Sequence, residues 1–533
     1  SPDSRFLWLY RFDESQVPDN FLAMNQGGTR STLDVEAYPK PGDPNPEVDL
    51  LVYDRQTKKL TKVPVRPGAF DDGLGHYVYA ITWAAQGPEL FFHRMDRRQK
   101  IRELVAYNAA TQALRVVDRE SNPKAWVEYG MIADRLRERN RLRPMPPKLL
   151  FLSESDGAFN VVELDTQAGR RRKLTNFSGE AEALGIGRET DTEVWVTASD
   201  GATPYRHQVH LLNKVTGVSR RLTDPAFHHM VSVSPDGQWL AVESQTSTSS
   251  PHLRVLDRTG KLVADLGRQS ISALARAGFL PSEKFAVEAP EGHKVYARLH
   301  FPRGFDPKRR YPVMFDVYGG PLPLGWGVLG ETFGASSAEA STGFLWVEVW
   351  PRGGHGRGSA FRQALYQKMG IAEIDDIAAV ARGLASRAYV DPQRVAIHGT
   401  SYGGYAAAMA ILRYPDLFQG AVASSMVSDW RQYDTTYTER YMGLLPESKA
   451  AYDAGSTLTY ARNLRGWLML YFGTADNNTH PSNTFSLSQA LTRAGKYHEL
   501  QAGVDAGHTG LRFDRMMEFI VERLVMNPPR SSP

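Results

Sequence analysis

Five times in its first half the chain runs through a short apolar stretch into aspartate or asparagine and then a polar turn. This happens at Tyr53-Asp54, Tyr107-Asn108, Leu164-Asp165, Leu212-Asn213 and Leu256-Asp257, at intervals of 54, 57, 48 and 44 residues. Several units continue alike, with Asp54 leading to Leu60-Thr61, Asp165 to Leu174-Thr175 and Asn213 to Leu222-Thr223. Each unit has the pattern of two β-strands joined by a turn. A second motif also returns, since Ser1-Pro2-Asp3-Ser4-Arg5-Phe6-Leu7 resembles Ser234-Pro235-Asp236-Gly237-Gln238-Trp239-Leu240. Strand-rich units of roughly 40–50 residues have the period of propeller blades, whereas a sandwich does not call for the same hairpin again and again. A β-propeller is expected over residues 1–284, with an irregular all-β domain as the alternative.

The pattern changes near residue 285. Short apolar strands (313–318, 344–350, 394–397 and 468–472) alternate with helical stretches at 371–385 and 513–526. Such alternation implies a mostly parallel sheet with helices on both faces, and residues 285–533 are expected to form one α/β domain.

Composition narrows the chemistry. The chain has 533 residues, 42% of them hydrophobic, and a net charge of only +4, which predicts a folded protein with no dedicated nucleic-acid surface. It has no cysteine, so disulfides, thiolate metal sites and a cysteine nucleophile are excluded, while oxidising and reducing compartments both stay open. No apolar run approaches the ~18 residues of a membrane span. Arginines alternate from Arg135 to Arg143, and Arg170-Arg171-Arg172-Lys173 forms a second basic cluster. Both are read as solvated loops or charged edge strands, not as anion sites.

Gly399-Thr400-Ser401-Tyr402-Gly403 follows an apolar strand and precedes the helix-compatible run Ala406–Leu412. This is the G-x-S-x-G nucleophile elbow in the strand–turn–helix context it requires, which makes the second domain an α/β-hydrolase and Ser401 its candidate nucleophile. A serine hydroxyl needs an adjacent base, and in this fold the partners follow in the order acid, then histidine. Asp476 stands just past the strand ending at Phe472, and His508 lies in a loop before the last helix. His480 is too close to Asp476 to come from a separate loop, His398 fits a packed strand residue, and Asp505 fits a residue that shapes the His508 loop. The backbone N–H of Tyr402 is one oxyanion donor by position. The hydroxyl of Tyr318, in Asp316-Val317-Tyr318-Gly319-Gly320-Pro321, is a second donor of the right kind.

With these motifs, and with Tyr437-Thr438-Glu439-Arg440-Tyr441-Met442-Gly443, Gly473-Thr474-Ala475-Asp476 and Tyr38-Pro39-Lys40-Pro41-Gly42, the whole chain resembles the prolyl oligopeptidase family, in its dipeptidyl peptidase IV-like branch. The resemblance implies removal of Xaa-Pro, and less well Xaa-Ala, dipeptides from peptides with a free amino terminus. It implies that Val427, Trp430, Tyr433 and Tyr437 wall a proline pocket and that Asn478 holds the penultimate carbonyl. Such a reaction uses no cofactor or metal, and members commonly pair as homodimers through the hydrolase domain and a propeller arm.

Departures are visible too. Thr400 stands where the branch usually has tryptophan, Asn477 replaces an acid, and no Glu-Glu pair of the kind that binds the substrate ammonium occurs anywhere in the chain. At ~45 residues per blade the first ~280 residues supply about six blades, where the family has eight, so further blades carrying that pair are expected upstream of Ser1; the other reading is a member that has lost the pair and acts on different peptides. The alternatives are an acylaminoacyl-peptidase, another prolyl peptidase or an esterase on the same scaffold. A non-catalytic propeller scaffold is the reading from another class.

Overall fold

In the computed structural model, which describes residues 1–129, 131–138, 141–321, 330–334 and 339–526, five antiparallel sheets follow one another from Phe6 to Arg268. Their next-to-last strands are Glu47–Asp54, Ile101–Asn108, Asn160–Asp165, Thr203–Asn213 and His252–Asp257. The aspartate or asparagine of the sequence repeat is the last residue of each. Its side chain folds back over the turn: Asp54 Oδ1 accepts from the Gln56 N–H at 2.8 Å, Asp165 Oδ1 from Ala168 at 2.8 Å and Asn213 Oδ1 from Val215 at 2.9 Å. Asn108 and Asp257 do the same. A short polar side chain that mimics a backbone turn is the physical content of the repeat. The Ser-Pro-Asp motifs are likewise one structure used twice, since Ser1 Oγ accepts from the Phe6 N–H at 2.8 Å and Ser234 Oγ from Trp239 at 3.0 Å.

These sheets are propeller blades, and among the described residues there are five of them, not the six expected from length. The difference is taken up by insertions. A hairpin, Asp19–Met24 paired with Thr32–Ala37, leaves the first sheet between its strands Phe6–Asp13 and Glu47–Asp54. A second excursion lies between Ser121 and Lys148 and carries the helix Met131–Leu136 and a short pairing of Arg137–Glu138 with Arg141–Leu142. Within it Arg135 pairs with Glu189 and Arg137 with Asp134, while Arg139 lies outside the described residues. Arg170–Lys173 is an edge strand whose charges meet Asp118, Glu163 and Asp156.

The second half is built on one eight-stranded sheet, beginning with the antiparallel strands Glu283–Glu288 and Lys294–His300. Across the sheet follow Leu345–Trp350, Tyr311–Asp316, Val390–Thr400, Gly420–Ser424, Trp467–Gly473 and Glu499–Gly503, these six parallel to one another. The central strands bury both faces. Val313, Phe315, Ile397 and Leu470 pack on one side, while Met314, Ala396, Val422 and Met469 pack on the other against the helix Phe513–Val521. Strands covered on both faces carry near-continuous apolar runs, which is why they stood out in sequence. Their carboxyl ends form one rim, facing the propeller.

The halves are joined by buried charge. Arg362 meets Glu154, Glu182 and Glu128, which come from separate parts of the propeller, and Arg440 meets Glu128 at 3.0 Å. Arg97 reaches Glu439 at 2.7 Å.

Candidate active site

At the rim the chain turns from the strand Val390–Thr400 into the helix Tyr402–Arg413 through a single residue, Ser401, at φ 62 and ψ −122. A serine pays steric strain there, and such strain persists only where neighbours hold it. The Ser401 N–H donates to the Ser424 carbonyl at 2.9 Å, and Tyr405 N–H donates to the Ser401 carbonyl at 3.1 Å. The elbow glycines are required by contact. A Cβ on Gly403 would overlap the Val317 carbonyl oxygen, one on Gly404 the Ser424 carbonyl oxygen, and one on Gly399 both the Gly403 backbone and the Val317 carbonyl oxygen. The tight turn leaves Ser401 half-exposed between the exposed Thr400 and the buried start of the helix.

Asp476 and His508 come together from the ends of the last two strands of the sheet, Trp467–Gly473 and Glu499–Gly503. His508 Nδ1 stands 2.9 Å from Asp476 Oδ2. Gly473 makes this approach available, since any side chain there would strike the carbonyls of Ala506 and Gly507. Asp476 is wholly buried, and burial by itself raises a carboxyl's pKa. His508, the N–H groups of Asn478 and Thr479, at 2.9 and 3.0 Å, and the Thr479 hydroxyl outweigh it and hold the acid below its usual range. An anionic Asp476 fixes the Nδ1–H tautomer and leaves Nε2 free to take a proton; among the described residues Nε2 has no hydrogen-bond partner. The Ser425 hydroxyl also donates to the His508 carbonyl at 3.2 Å.

Tyr402 opens its helix, where a backbone N–H has no intrahelical acceptor. Tyr318 lies beyond the strand Tyr311–Asp316, its ring 5.9 Å from that of Tyr402. Burial pushes the Tyr318 phenol up, so it stays a protonated donor at neutral pH. Beside it stands an aromatic cage in which Trp430 stacks on Tyr437 at 5.8 Å and Tyr433 meets Tyr437 edge-on at 5.4 Å. Val427 and Trp430 are buried in the same cluster. Asp434 caps the helix carrying Tyr437, accepting that residue's N–H at 2.8 Å. The Tyr433 hydroxyl donates to Asn478 Oδ1 at 2.6 Å, so the amide's N–H₂ is the end left to donate.

The remaining candidates are used otherwise. His398 is buried in its strand, with Nδ1 3.3 Å from Asp316. His480 faces the propeller hairpin, at 3.2 Å from Glu36 and edge-on to Tyr38 at 4.5 Å. Asp505 accepts the N–H groups of Gln26 and Gly27 at 2.7 and 2.9 Å, so it pins that hairpin as well as shaping its own loop. Sequence reasoning missed Thr479, although its place three residues after Asp476 suits a turn closing on a carboxylate. It also missed Glu373, wholly buried under the elbow, which accepts the Tyr402 hydroxyl at 2.9 Å and the Gly370 N–H at 2.5 Å. Burial pushes Glu373 up to about 7. No local pattern announces it.

The family model described as the prolyl oligopeptidase family matches residues 333–525, and that for the dipeptidyl peptidase IV N-terminal region matches residues 1–251. The chain belongs to the prolyl oligopeptidase family. Among similar proteins, a probable dipeptidyl peptidase 4 of Aspergillus fumigatus is 26% identical, over 98% of this chain and 70% of the relative. Dipeptidyl peptidase 4 of Sus scrofa is also 26% identical, over 95% of this chain and 68% of the relative. The crystal structure of Porphyromonas gingivalis dipeptidyl peptidase 4 superposes with a TM-score of 0.83 at 25% identity, covering 98% of this chain and 74% of that one. The family's two parts correspond to the blades and the hydrolase sheet described above. Among the described residues no helix is long and apolar enough to cross a membrane.

Proposed function

We propose that the protein is a serine dipeptidyl peptidase that releases Xaa-Pro, and less readily Xaa-Ala, dipeptides through an acyl-enzyme. The observation that carries this reading is the placing of the Asp476–His508 pair, 2.9 Å apart, on the same rim as the Ser401 elbow and beside the Trp430–Tyr433–Tyr437 cage.

Ser401 Oγ attacks the carbonyl carbon of the second residue while His508 Nε2 takes its proton. The oxyanion accepts hydrogen bonds from the Tyr402 N–H and the Tyr318 hydroxyl, donors that are in place before charge develops. His508 then gives its proton to the departing amine nitrogen as the C–N bond breaks, leaving an ester on Ser401. Water, deprotonated by His508, hydrolyses that ester. A flat pyrrolidine fits a small aromatic cage with Val427 as a further wall. Asn478, its oxygen occupied by Tyr433, donates to the penultimate carbonyl. The exposed Phe21, Leu33 and Val35 of the hairpin support pairing of two copies through that arm.

Ala-Pro-p-nitroanilide compared with its N-acetyl form tests the reading, together with fluorophosphonate labelling of the parent and Ser401→Ala. The free amine form should be cut faster, and label should appear only on the parent. Faster hydrolysis of the acetylated compound would make the enzyme an acylaminoacyl-peptidase, and equal labelling of both proteins would remove Ser401 from the chemistry.

A further inference from the structure

A cavity of about 380 Å³ borders the elbow. Tyr318 and Thr400, the residue before Ser401, line it, whereas Val427, Trp430, Tyr433, Tyr437 and Asn478 do not. A peptide whose proline sits in the aromatic cage must leave Ser401 on this other side. We infer that the cavity receives a side chain of the leaving peptide, from the first or second residue after the scissile bond, and that it favours lysine or arginine there. The inference rests on the peptidase reading above.

Three features set this preference. The first is room: Thr400 is small and exposed, with its Oγ1 tied at 2.6 Å to the Ser424 hydroxyl, so nothing bulky stands between the elbow and the cavity. The second is charge. Glu348 is engaged by His300 at 3.1 Å and Arg298 at 3.4 Å, and Arg357 is buried against Glu180. Asp316, 40% exposed against 36% for Glu348, differs in its partners: among the described residues it has one, His398 Nδ1 at 3.3 Å. An open carboxylate beside a leaving peptide attracts a cation and repels an anion. The third is the walls, half-buried Trp350 and Phe361. Aromatic surface suits the methylene stem of a lysine or arginine whose head reaches a carboxylate.

The test is release of Ala-Pro from Ala-Pro-Xaa-Ala-Ala and Ala-Pro-Ala-Xaa-Ala, with Xaa lysine, norleucine or glutamate and Ala-Pro-p-nitroanilide as reference. At one of the two positions kcat/KM should run lysine, norleucine, glutamate, with lysine about fivefold above norleucine, the size of one half-exposed ion pair. Asp316→Asn should abolish the lysine advantage while leaving the norleucine peptide and the nitroanilide at the parent rate. Thr400→Trp, which fills the cavity, should lower every peptide relative to the nitroanilide. Equal rates for the three side chains at both positions would overturn the inference and leave the peptidase reading standing. So would a lysine preference that survives Asp316→Asn. If no substrate releases Ala-Pro, both fall together.

Discussion

The two halves of this molecule distribute their sequence information in opposite ways. In the hydrolase half a single sheet carries everything, and Ser401, Asp476 and His508 each hang from a different place along one rim. Backbone contacts around Gly399, Gly403 and Gly473 leave no space for a side chain. In the propeller half the same turn is made five times over, each held by its own aspartate or asparagine. Concentrated chemistry is intolerant of single changes, whereas repeated architecture spreads the load. The seam between them lies in the middle, because a few buried ion pairs there serve both sides.

The largest effects should therefore come from the rim. Ser401→Ala and His508→Ala should each lower kcat by about 10⁴–10⁶, and Asp476→Asn by about 10⁴, because the wrong histidine tautomer is then held. Thermal unfolding of Ser401→Ala should match the parent. A residual rate above a hundredth of the parent's would show that the rim does not act as a unit.

Next comes the seam. Arg362→Met leaves Glu154, Glu182 and Glu128 facing one another without their guanidinium, and stability should fall by about 3–5 kcal/mol, the cost of breaking a buried ion pair from one side. Denaturant unfolding with an unchanged m-value measures this loss. A cost no larger than that of a surface substitution would mean that the halves are held by something else.

Glu373 gives a pH-dependent contrast inside the hydrolase half. Its folded pKa of about 7 lies above the ordinary glutamate value of 4.5, so between those pH values the folded state binds more protons than the unfolded one. Stability falls as pH rises through this window and levels off above it. Glu373→Gln keeps an oxygen for Tyr402 and Gly370, so it should flatten this contribution and stabilise the protein at pH 8 by roughly 3 kcal/mol. Parallel stability curves for parent and variant from pH 5 to 8 would contradict the assignment.

The smallest effect belongs to a blade turn. Asp165→Ala removes one side-chain acceptor from one of five turns and should cost about 1 kcal/mol with activity unchanged. A loss of several kcal/mol would show that the blades do not share the load.

What was legible in the sequence follows the same division. The elbow and Asp476 were legible because each stands in a local motif at the end of an apolar strand, and His508 because it lies in a loop before the last helix; the repeat was legible because a turn is local chemistry. The blade count was overestimated because an inserted hairpin at Asp19–Ala37 and the excursion after Ser121 use residues without adding a blade. Arg362 with Glu154 and Glu182, or Arg97 with Glu439, join residues separated by 208, 180 and 342 positions. Pairings of that span leave no periodicity behind. Glu373 is invisible for another reason: an acid in a helix is ordinary, and only its burial beneath Tyr402 makes it unusual.

Asp505, three residues before His508, holds the tip of the propeller hairpin by the N–H groups of Gln26 and Gly27. Coupling between two sites is reciprocal, so whatever free energy the hairpin lends to the ordering of residues 505–508, that loop lends to the hairpin. Order in the propeller arm and order around the proposed base are one thermodynamic quantity read in two places.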